Sequence, residues 1–157
     1  MYTLLIYSIL TAVAAIAFAY LFRKQRIVFC FALFFYIAAV VYFVAVRGER
    51  TGLSGVNLSF PLPFYIAVRD HHYGLTTNRS VLNVILFLPF GYMVPQMFLL
   101  FRRKRIRWWH VLLLGTAFSL LIETCQTVLR FGVFDIDDLI KNTMGAVIGY
   151  CIWCLLK

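Results

Sequence analysis

Acidic residues are scarce: six in 157, against fifteen lysines and arginines. All charged residues together make up 13% of the chain, about half the share found in average soluble domains. Polar surface is therefore too small to cover a folded core in water. The four cysteines are scattered through apolar stretches, which excludes a disulfide framework. No internal repeat and no low-complexity tract is present, which argues against solenoids and linkers. Hydrophobic residues, by contrast, reach 63% and aromatics 18%, and the mean hydropathy is +0.88. These figures exclude a disordered chain and nearly exclude a soluble one. They point to one compact integral membrane domain.

About 20 residues at 1.5 Å rise cross a hydrocarbon core of about 30 Å. Apolar runs of that order predict five transmembrane helices: Thr3 to Phe22, Ile27 to Val46, Val81 to Phe101, Trp108 to Leu129, and Ile136 to Leu156. The fold class is all-α, a polytopic bundle spanning residues 1–157 as one domain. The first run begins at residue three without a basic leader and is long enough to span, so it reads as a retained helix. The segment 47–80 is rich in Gly, Pro, Asn and Thr and reads as an outer loop.

Cation distribution sets the expected orientation. Arg23, Lys24, Arg26, Arg102, Arg103, Lys104, Arg105, Arg107 and Lys157 share one side of the membrane with no acid. The other side carries six cations and all six acids. The positive-inside rule then puts the N-terminus outside and the C-terminus in the cytoplasm. The net charge of +9 reflects that rule, and no nucleic-acid partner is expected.

Polar residues inside the spans are the functional candidates, because an ionisable group at membrane depth is costly unless it faces the bundle interior. Thr116, Ser119, Glu123, Gln126 and Arg130 fall on one face of the fourth helix. Asp135, Asp138, Asn142, Gly145 and Gly149 form a matching stripe on the fifth. Asp135 also suits an N-cap, with Asp138 placed for a capping-box-like arrangement. Gly145 and Gly149 make a Gly-xxx-Gly packing groove. Asn83 opens the third helix. Up-and-down topology brings Asn83, Glu123 and Asn142 to similar depth near the outer face. The expected ligand-binding set is therefore Asn83, Glu123, Gln126, Arg130, Asp135, Asp138 and Asn142.

Three stretches carry a family resemblance. They run from Asn83 through Phe87 and Pro89 to Gly91, from Glu123 to Gln126, and from Phe134 through Asp135, Asp138 and Asn142 to Gly149. With Asn57 and the Pro61–Phe64 element upstream, they resemble the VanZ-like family of small bacterial membrane proteins. The resemblance implies a multi-pass protein of the bacterial cell membrane with a role in resistance to teicoplanin-type lipoglycopeptides. It also implies that Asn83, Glu123, Gln126, Asp135, Asp138 and Asn142 occupy signature positions. Many relatives carry an arginine three residues before the first aspartate, where this chain has Gly132; the nearest arginine is Arg130.

Four functions compete at this point. The first is a binding or protection protein whose outward pocket engages a membrane lipid, a lipid-linked cell-wall precursor or the tail of a lipoglycopeptide antibiotic. The second is an intramembrane enzyme acting on a lipid-linked headgroup, with Glu123 and Asp138 as catalytic candidates. A transporter and a mere packing scaffold complete the set. Asp70, His71 and His72, and the Asp135–Asp138 cluster, lack fixed ligand spacing, so neither a metal nor a cofactor is expected. The oligomeric state is not legible in the sequence.

Overall fold

The computed structural model describes residues 2–47, 56–57, 73–129, 132 and 134–157. Among the described residues there are five helices: α1 (Tyr2–Leu21), α2 (Arg26–Arg47), α3 (Tyr73–Arg102), α4 (Trp108–Val128) and α5 (Ile136–Leu156). Two short strands, β1 (Val56–Asn57) and β2 (Phe134–Asp135), pair in parallel, Val56 opposite Phe134 and Asn57 opposite Asp135. Among the described residues, four helices, α2 to α5, are long and apolar enough to cross a membrane. In α1 the described apolar stretch is shorter, Leu5–Leu21.

The third helix begins at Tyr73, eight residues before the expected start at Val81. The end of the segment expected as an outer loop at 47–80 is therefore helical. Hydropathy marks the thickness of the hydrocarbon layer, whereas a helix satisfies its own backbone bonds and can continue beyond it. Within the spanning part, α3 is the most enclosed of these four helices, with half of its apolar window buried. Pro89 and Pro95 both lie in that helix and are fully buried.

The closest pairing in the bundle is between α3 and α5. Gly145 and Gly149 make it possible. A Cβ on Gly145 would overlap the carbonyl oxygen of Val84, and one on Gly149 would overlap that of Leu88. Lipid tails are as apolar as leucine, so close backbone packing, rather than water exclusion, holds such helices together. One apolar core, including Phe29, Tyr36, Tyr92 and Trp153, ties α1 and α2 to this pair. A second, including Phe87, Val111 and Ala146, joins α4 to it. Large apolar side chains point outward, among them Ile27, Phe31, Phe34 and Phe35, each more than half exposed. That exterior suits hydrocarbon and not water.

Candidate functional site: a polar cavity between four helices

Facing stripes of α4 and α5 build the site, as the spacing predicts. The Asn142 amide donates to the Ser119 hydroxyl at 2.8 Å, and both residues are buried. Farther from the acidic end, the Thr116 and Thr143 hydroxyls meet at 3.2 Å. Nearer that end, the carboxylate of Glu123 accepts the backbone N–H of Asp135 at 3.2 Å. Asp135 in turn caps α5: its side chain accepts the Asp137 N–H at 2.9 Å, with extended backbone angles.

These bonds amend the expected capping box. In that motif the third helical residue reaches back to the N-cap N–H. Here Glu123 of the neighbouring helix holds that donor. Asp138 instead lines the cavity. Asp137 points away from the stripe and forms an ion pair with Lys141 one turn on.

Asn83, Glu123, Gln126, Asp138 and Asn142 all line one cavity of about 30 Å³. Its apolar walls are Leu86 and Phe87 of α3, Ile122 of α4 and Val40 of α2. Asn83, Glu123 and Asn142 are only 4%, 4% and 5% exposed. Among the described residues, no buried side-chain nitrogen or oxygen lacks a hydrogen-bond partner. A satisfied network of this kind is rigid, because in a low-dielectric interior every unpaired group is costly.

Five of the seven expected site residues thus share one cavity. Asp135 is tied to it through Glu123 rather than by lining it. Arg130 lies outside the described residues. Val40 escaped the sequence reading, since an apolar residue in a uniformly apolar helix carries no signal. Volume sets what the cavity can accept. On this measure about 10–15 Å³ is the minimum for one water, and ligand pockets run to about 300–1,000 Å³. The cavity admits a water or a small polar group and excludes an acyl chain.

A wider hollow of about 420 Å³ lies between α1 and α2, walled by Ala14, Ala15, Phe18, Phe31, Phe35 and Tyr36 among others. It is almost wholly apolar. Tyr36 stands one turn from Val40 on α2 and donates its hydroxyl to the Leu86 carbonyl at 2.7 Å. The two hollows have no lining residue in common; this bond links Tyr36 of one to Leu86 of the other.

A helical bundle with membrane-length apolar helices and a buried polar cluster defines a multi-pass membrane protein. The VanZ/LLP1 family model matches residues 27–157, and the chain belongs to that family. Comparison with curated proteins and with solved structures found no match.

Proposed function

We propose that this protein sits in a bacterial cell membrane and binds an amphiphile through its polar cavity. The cavity takes a polar group of the ligand and the α1–α2 hollow takes its apolar chain. The ligand is a membrane lipid, a lipid-linked cell-wall precursor or a lipoglycopeptide antibiotic of the teicoplanin type, and the consequence is reduced action of such a drug. The observation that carries this reading is the convergence of Asn83, Glu123, Gln126, Asp138 and Asn142, from three separate helices, on one cavity. Intramembrane ionisable residues are functional candidates by default. The apolar hollow one turn along α2, bonded through Tyr36 to the Leu86 that lines the cavity, supports an amphiphile over a purely polar ligand. By the positive-inside rule, the acidic end and its cavity face outward.

The test is expression in a susceptible Gram-positive host. Teicoplanin sensitivity should fall, while sensitivity to a glycopeptide without an acyl chain stays the same. Glu123→Gln and Asp138→Asn should abolish the effect at equal expression. Unchanged teicoplanin sensitivity with confirmed membrane expression overturns the reading. Two carboxylic side chains on one cavity also suit acid–base chemistry. Turnover of an undecaprenyl phosphate or lipid II by purified protein, lost in Glu123→Gln, would establish an enzyme instead.

A further inference from the structure

At the opposite end of the bundle lies a basin of about 590 Å³, within the range of ligand pockets. Arg23, Lys24, Arg103, Arg105 and Lys157 line it, with the buried Gln96 at its base. Among the described residues, no acidic side chain contributes to its walls. Charge segregation accounts for many cations at this end, but not for their arrangement around a hollow. Arg102, Lys104 and Arg107 belong to the same basic run and do not line it.

The basin is anchored from three sides. Gln96 of α3 donates to the Arg23 carbonyl at 2.9 Å and accepts the Trp153 indole N–H at 2.9 Å. The Arg23 guanidinium donates to the Leu156 carbonyl at 3.1 Å and lies 4.3 Å over the Tyr20 ring. The Lys157 ammonium lies 5.1 Å over the Trp153 ring. Arg103 follows α3 with φ of 52°, the left-handed region that a helix end normally reserves for glycine or asparagine. A non-glycine residue held there is strained, so the arginine occupies a position that glycine would fill more easily.

Five cationic side chains around one hollow make a region of positive potential that favours an anion among them, although water and salt screen the exposed ones. Arginine forks match the oxygens of phosphate, and basic pockets between membrane helices suit lipid headgroups. We infer that this basin is a phosphate-binding site, separate from the polar cavity and independent of what that cavity holds. A phosphate group can reach it from two sources, an anionic phospholipid of the adjoining leaflet or soluble phosphate.

Full-length protein purified in a neutral detergent tests this, with phosphatidylglycerol, phosphatidylcholine and inorganic phosphate as probes. Native mass spectrometry reads retained lipid, and thermal unfolding reads binding of phosphate. Phosphatidylglycerol should be retained over phosphatidylcholine. Arg103→Gln/Arg105→Gln/Lys157→Gln should weaken that retention by roughly fivefold for each cation removed. The charge-matched Arg102→Gln/Lys104→Gln/Arg107→Gln should leave it within about twofold, because those cations lie outside the basin. If inorganic phosphate instead raises the unfolding temperature in wild type and not in the basin triple, with no lipid preference, the source is soluble phosphate. Equal losses in the two triples, or binding of neither probe, overturns the inference. If the basin triple does not elute as a monodisperse species, Arg105→Gln against Arg102→Gln decides it by the same comparison.

Discussion

The Glu123 carboxylate accepts the backbone N–H of Asp135, the residue that caps α5. One acid thereby serves both the cavity and the start of the next helix. Replacing it tests the two roles separately. Glu123→Gln keeps an oxygen that accepts the N–H, so its stability should stay within about 1 kcal/mol of wild type. Glu123→Leu strands a part-buried donor and should lose about 1–3 kcal/mol, read by denaturant unfolding in micelles. Both should abolish any effect on teicoplanin sensitivity.

Asn142 and Ser119 form the buried cross-link of the facing stripes. A double-mutant cycle of Ser119→Ala and Asn142→Leu should give a coupling energy of about 0.6 kcal/mol and no more than about 1.7, the range for hydrogen bonds between membrane helices. Unfolding of the four proteins in one detergent measures it. Zero coupling would mean that the pair does not form.

Gly149 allows α3 and α5 to touch, and any side chain there meets the Leu88 carbonyl. Gly149→Val should cost about 3 kcal/mol or more and leave little monodisperse protein on size-exclusion chromatography. Among the described residues, nothing lies within 4 Å of where a Cβ on Gly132 would stand. Gly132→Ala should change stability by no more than about 0.5 kcal/mol and serves as the control.

Gln96 bridges Trp153 and the Arg23 carbonyl. Gln96→Leu removes both bonds and leaves a buried indole N–H behind, at a cost of about 1–3 kcal/mol. In a Trp108→Phe/Trp109→Phe background, Trp153 is the sole tryptophan, and its emission should change on the same substitution.

Much of the candidate site was legible because helical spacing fixes which residues share a face. Ser119, Glu123 and Gln126 recur at steps of three and four, as do Asp138, Asn142 and Gly145, so their meeting follows from two adjacent helices. The close approach at Gly145 and Gly149 was legible for the same reason. Other features leave no periodic trace. The early start of α3 at Tyr73 lies in a polar stretch that hydropathy assigns to a loop. The bond from Glu123 to a main-chain N–H depends on the turn geometry before α5, and no residue type encodes it. Counting cations separates the two ends of the bundle, but it does not foretell that some of them encircle a hollow.

The near-contact of α3 with α5 at Gly145 and Gly149 has a mechanical consequence. Asn83 on one of these helices and Asp138 and Asn142 on the other are effectively welded into a single wall. Any swelling of the cavity to admit a guest must then fall to its other two walls: α4, which Ser119 and Glu123 latch to that frame, or α2, which contributes Val40.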